Sequence, residues 1–83
     1  MKWKPKYLKN KVIYPNGDIH YNNVEGILQK VERANGWIEY FSDGKKHGTP
    51  AVISPDGKYR EDWYNGKIVR EHWGDKIIVR EIQ

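Results

Sequence analysis

Short stretches rich in β-branched and aromatic residues alternate along the whole chain with clusters of Asn, Asp, Gly and Pro. The stretches span 11–14, 18–21, 27–33, 37–42, 51–54, 58–64, 67–73 and 76–82, and such composition at such lengths predicts strands. Between them stand Pro15-Asn16-Gly17-Asp18, Ala34-Asn35-Gly36, Asp43-Gly44, Pro55-Asp56-Gly57, Asn65-Gly66 and Gly74-Asp75. Pro presets the turn backbone and Gly supplies positive φ, so these are tight turns. The predicted fold is all-β: an antiparallel meander of about seven or eight short strands built from repeated hairpins, in a twisted or curled sheet.

One segment carries a competing pattern. Val24, Ile27, Leu28 and Val31 follow the i, i+3, i+4, i+7 rule of an amphipathic helix, with Asn23 placed as an N-cap and Gly36 near a stop. A short helix over 24–34 is therefore the alternative. Against it, residues 26–36 precede the strand at Trp37 as 48–57 precede the strand at Lys58, and the second copy, interrupted by Pro50 and Pro55, cannot be helical. Strand is the adopted reading.

The last third of the chain repeats itself. Arg60-Glu61-Asp62-Trp63 returns as Arg70-Glu71-His72-Trp73, and Arg80-Glu81 begins a third copy. A two-residue loop at Asn65-Gly66 would pair Tyr64 with Lys67, Trp63 with Ile68, Asp62 with Val69, Glu61 with Arg70 and Arg60 with Glu71. Tyr59, Trp63 and Ile68 would then share one face, and Tyr64, Val69 and Trp73 the other.

Eighty-three residues make one domain, which at this size buries only roughly 60% of its unfolded surface. With 13% aromatic residues, the expected core is aromatic and thin. Cysteine is absent, which excludes a disulfide framework or a thiolate zinc site. No apolar run approaches the roughly 18 residues of a membrane span, and the first residues lack the apolar stretch of a secretory signal. The expectation is a soluble, cytoplasmic protein with no membrane contact.

The net charge of +4 is unevenly spread: Lys2, Lys4, Lys6, Lys9 and Lys11 fall in the first eleven residues without an acid. That leaves ten bases against eleven acids for the remainder. The expected organisation is a basic arm or edge strand over 1–11 and a neutral β-repeat domain over 12–83.

The elements Asp43-Gly44-Lys45-Lys46-His47, Gly48-Thr49-Pro50-Ala51-Val52-Ile53-Ser54-Pro55-Asp56-Gly57 and Asp62-Trp63-Tyr64-Asn65-Gly66-Lys67 resemble the MORN-variant hairpin repeats of bacteriophages, giant viruses and bacterial antitoxin-like proteins. The resemblance covers about residues 36–73. It implies a twisted, mostly single-layer sheet of hairpins used for binding or scaffolding, with no chemistry of its own.

No constellation announces catalysis. His20, His47 and His72 fall in different strands or turns with no ligand spacing between them, so no metal site or other cofactor is expected. Ser42 and Ser54 stand at strand ends, where hydroxyls commonly bond the backbone. The glycines belong to separate turns and form no phosphate loop.

The candidate binding residues fall into three groups. Lys2, Trp3, Lys4, Lys6, Tyr7, Lys9 and Lys11 interleave cations with rings, the composition that neutralises phosphates and stacks on bases; the same lysines also suit an acidic protein surface or anionic headgroups, or a protective edge strand. Tyr59, Trp63, Tyr64 and Trp73 have the composition of interface hot spots, although most rings in so small a chain serve the core. Ile78 lies in a strand apolar on both faces, suited to pairing with a second copy or a target. The leading expectation is a non-enzymatic protein-binding module, a small inhibitor of a host protein or nucleoprotein defence complex, with an anti-CRISPR-type inhibitor as one concrete version. The alternatives are nucleic-acid binding through the arm and a homodimeric structural module joined by the C-terminal strand.

Overall fold

Each turn predicted from Gly and its neighbours reverses the chain, and the resulting strands lie side by side in sequence order. The computed structural model describes residues 4–80. It contains β1 (Lys6–Leu8), β2 (Lys11–Ile13), β3 (Ile19–Asn22), β4 (Leu28–Glu32), β5 (Ile38–Ser42), β6 (Lys45–Lys46), β7 (Gly48–Ile53), β8 (Tyr59–Tyr64), β9 (Lys67–Trp73) and β10 (Lys76–Val79). The protein is all-β, an antiparallel meander in one sheet of ten strands, slightly more than the pattern predicts. The additions are β1, from the basic arm, and β6, a two-residue strand that pairs only β5.

The sheet does not close: β1 and β10 are its two free edges. Nine strands side by side have eight gaps of about 4.8 Å, or about 38 Å in all, which accounts for most of the 44 Å long axis. Among the described residues no helix is long and apolar enough to cross a membrane.

The helix alternative over 24–34 is overturned by local hydrogen bonding. Asn23 Oδ1 accepts the backbone N–H groups of Glu25 at 2.9 Å and Ile27 at 3.0 Å, closing an Asx turn instead of capping a helix. Its apolar positions separate accordingly. Val24 is 87% exposed at the turn while Val31, in β4, is buried.

Among the described residues the buried apolar ones are Val31, Ala51 and Val52, with no aromatic ring among them. The core is thin, as expected, but aliphatic. A single-layer sheet has no second layer to enclose rings of about 150–250 Å², so they remain half-buried or exposed on its faces.

The predicted pairs Tyr64–Lys67 and Trp63–Ile68 form, and the pairs beyond them do not. A bulge leaves Val69 without a partner, so Asp62 faces Arg70, Glu61 faces Glu71, Arg60 faces His72 and Tyr59 faces Trp73. Paired residues share a face. Trp73 therefore lies on the side of Tyr59, opposite to the placement expected from an unbroken ladder.

At one end of the strands successive loops brace one another. Asp18 accepts the Ala34 backbone N–H at 2.8 Å and bonds Arg33 at 3.3 Å, while Arg33 also reaches Glu39 at 2.8 Å. Gly36 has φ +98, and a Cβ there would stand 3.0 Å from the Pro55 Cβ. The absence of a side chain lets the 33–37 and 54–59 loops touch.

Candidate functional site

The register lines up aromatic residues from three distant segments. The Arg33 N–H donates to the Trp37 carbonyl at 2.8 Å, closing the loop that delivers Trp37 to the start of β5. Pairing of Ile38 with Ile53 sets Trp37 across from Ser54, the Ser54 N–H donates to the Tyr59 carbonyl at 2.9 Å, and Tyr59 pairs with Trp73. The rings meet edge to face. Centroids lie 5.9 Å apart for Trp37 and Tyr59, and 4.5 Å apart for Tyr59 and Trp73. Between them runs a groove of about 530 Å³ lined by Trp37, Ser54, Asp56, Lys58, Tyr59, Trp73 and Gly74.

Carboxylates hold the groove's rings from the adjoining row. Glu61 accepts hydrogen bonds from the Tyr59 hydroxyl and from Trp63 Nε1, the latter at 2.7 Å. Glu71 accepts from Trp73 Nε1 at 2.9 Å and from Arg80. The repeated Arg-Glu-x-Trp word is thus a repeated clamp: residues i and i+2 of a strand share a face, and the carboxylate reaches the next indole. The Trp73 hydrogen bond, followed by Arg80, holds the Glu71 carboxyl below its ordinary range. Burial first, then the hydrogen bond to Glu61 and the negative fields of Glu61 and Glu71, push the Tyr59 phenol well above its ordinary value.

Polar groups at the rim already serve the turn. Ser54 Oγ donates to Asp56 at 2.7 Å and accepts the Tyr59 N–H at 3.0 Å, while Asp56 also accepts the Lys58 N–H at 2.9 Å. The Lys58 N–H and then Ser54 lower the Asp56 carboxyl.

Other hollows have a structural origin. A larger one, about 620 Å³ beside Lys30, Tyr40, Ser42 and His47, opens where β5 leaves β7 after Glu39 and turns into β6. On the opposite face buried Asp62 bonds Arg70 at 3.0 Å and His72 at 2.9 Å. His20 lies against Tyr14 and His47 against Tyr64, so the three histidines occupy separate places. Among the described residues no group of three His, Cys, Asp or Glu is arranged to hold a metal ion.

The sequence-predicted site residues do not form one site. Lys2 and Trp3 lie outside the described residues. Lys4, Lys6, Tyr7 and Lys9 are exposed at the β1 edge, and Lys11, in β2, sits 5.6 Å from the Tyr21 ring centroid. Tyr59 and Trp73 line the groove. Trp63 is covered by the Lys46 ammonium at 4.8 Å, and Tyr64 packs on His47. Ile78 is exposed on the far edge strand, β10. Sequence reasoning missed Trp37, Glu61 and Glu71; the Glu-x-Trp spacing, repeated at 61–63 and 71–73, was the available signal for the two carboxylates.

Comparison with protein-family models, curated proteins and solved structures found no match to this chain.

Proposed function

We propose that this chain is a non-enzymatic protein-binding module whose contact surface is the aromatic face bearing Trp37, Tyr59 and Trp73. The observation that carries the reading is the pre-formed groove between those rings, with Trp73 53% exposed although its indole N–H is already bonded. Rings fixed by hydrogen bonds lose little freedom on binding, which favours them as anchors. The sheet face, 44 by 27 Å, is large enough for the ~800 Å² that a standard interface buries on each partner. Small size and the hairpin resemblance support a partner that is a cytoplasmic host protein or defence nucleoprotein complex, inhibited by occupation.

The test is comparative capture from host lysate by the immobilised full chain and by its Trp37→Ala/Trp73→Ala variant. One protein retained by the first and lost by the second is expected. Identical retention by both removes the groove from the reading.

Two further readings each have their own observation. Lys4, Lys6, Lys9 and a 73% exposed Tyr7 at the β1 edge favour nucleic-acid contact there. The exposed apolar run Ile77, Ile78 and Val79 on β10, which pairs β9 on one side only, favours strand addition by a second copy. In that case light scattering shows a dimer that Ile78→Lys abolishes; a monomer at high concentration excludes it.

A further inference from the structure

The groove differs from an ordinary apolar cleft in the charges attached to its rings. Tyr59 donates its hydroxyl to Glu61, and Trp73 donates its indole N–H to Glu71. Each of these contacts places a carboxylate at the polar edge of a ring, and Trp73 remains 53% exposed. Donation to an anion enriches the ring's π electrons, and an electron-rich ring attracts cations more strongly. The two hydrogen-bond donors on Glu61, a phenol and an indole, bring no positive charge to offset its own. Asp56 adds a third carboxylate at the rim.

We propose that the Trp37–Tyr59–Trp73 groove receives an arginine or lysine side chain carried on an extended, basic peptide segment of the partner. This deepens the protein-binding reading and rests on it. The rings supply a cation–π surface and Glu61 and Asp56 supply the complementary charge, the Glu71 carboxylate being already paired with Arg80. Phosphate-bearing ligands meet the same carboxylates as repulsion, which separates this groove from the lysine-rich β1 edge. Among the described residues Lys58 is the one base on the groove wall. It opposes a cationic guest and so sets how tightly the guest is held.

The test is calorimetric titration of the full chain with Arg/Ser, Gln/Ser and Glu/Ser peptides of equal length and with a thymidine oligonucleotide. The Arg/Ser peptide is expected to bind, and the Gln/Ser peptide to bind at least tenfold more weakly. Trp73→Ala should weaken the Arg/Ser complex by about 2- to 30-fold, the range of measured cation–π contributions. Glu61→Gln, which keeps the shape of the acceptor, should weaken it several-fold. Lys58→Ala should strengthen it, a gain that misfolding cannot produce.

Equal binding of the Gln/Ser peptide, preference for the Glu/Ser peptide or the oligonucleotide, or indifference to both Glu61→Gln and Lys58→Ala overturns the proposal. If the lysate partner is still lost with Trp37→Ala/Trp73→Ala but is unaffected by Glu61→Gln and Lys58→Ala, protein binding at the groove stands and the cationic guest does not. If the partner is retained by every variant, both readings fall.

Discussion

Glu61 and Glu71 face each other directly across β8 and β9, and each carboxylate turns along its own strand to the indole two residues on, at 2.7 Å for Trp63 and 2.9 Å for Trp73. Like charges in opposed positions destabilise a sheet. Here Arg80 lies on Glu71 and offsets part of that repulsion. Arg80→Ala is therefore expected to lower the melting temperature of the wild-type chain more than that of Glu61→Gln, with a coupling of about 0.5 kcal/mol or more in a double-mutant cycle. Additive effects would show that the opposed pair is not under electrostatic stress.

The bulge at Val69 leads to a contrast between two deletions. Removing Val69 leaves Asp62 opposite Arg70 and Tyr59 opposite Trp73 in an unbroken ladder, at an expected cost of about 1 kcal/mol, ordinary for a single change. Removing His72 turns Trp73 to the other face. Near-ultraviolet circular dichroism should keep its aromatic signal in the first variant and lose it in the second; loss in both would mean that the bulge itself positions Trp73.

That bulge also marks where the fold stops being legible in the sequence. Asn65-Gly66 fixes the turn by local chemistry, so Tyr64–Lys67 and Trp63–Ile68 could be read from two residues. An extra residue in one strand has no such signature, and beyond it every pair moves by one. Asn23 was ambiguous because a side-chain oxygen that caps a helix also closes an Asx turn. Trp37 could not be joined to Tyr59 from spacing, since β5, β6, β7 and their loops lie between them in the chain. The strands were legible because turn chemistry is local; the groove was not, because register across several strands creates it.

Glycine at the braced loop end provides a graded test. Gly26 and Gly36 both have positive φ, but a Cβ on Gly26 meets nothing within 4 Å whereas one on Gly36 meets Pro55 at 3.0 Å. Gly26→Ala should cost about 1–2 kcal/mol from backbone strain, and Gly36→Ala about 2–4 kcal/mol because overlap adds to it. Equal losses in denaturant unfolding would show that the loops separate at no cost.

Stability should fall at both ends of the pH range. The carboxyls of Asp18, Glu32, Asp56 and Glu71 are lowered in the folded chain by hydrogen bonds from the Ala34 N–H, the Tyr21 hydroxyl, the Lys58 N–H and the Trp73 indole, in that order. Their contribution is complete above the ordinary values of 3.8 for Asp and 4.5 for Glu and is lost as pH falls through the lower folded values. Tyr59 is raised above 10.0, so its contribution is complete below pH 10 and is lost as pH rises beyond it. Melting curves should show Tyr59→Phe flattening the alkaline decline and leaving the acid one unchanged.

At the β1 edge, changing Lys4, Lys6 and Lys9 to Gln keeps the strand and removes three charges. If the edge contacts single-stranded nucleic acid through all three, the slope of log affinity against log salt should become shallower by about 2, at roughly 0.7 per phosphate contact. No salt-dependent affinity in the unaltered chain ends that reading.

Every strand in the path from β1 to β10 is hydrogen-bonded in the sheet only to the strands that flank it in the chain, apart from the short β6 detour. A molecule assembled this way is quasi-one-dimensional. Its contacts are local, which favours rapid folding, and a further hairpin spliced between two loops would extend the array without rethreading the rest.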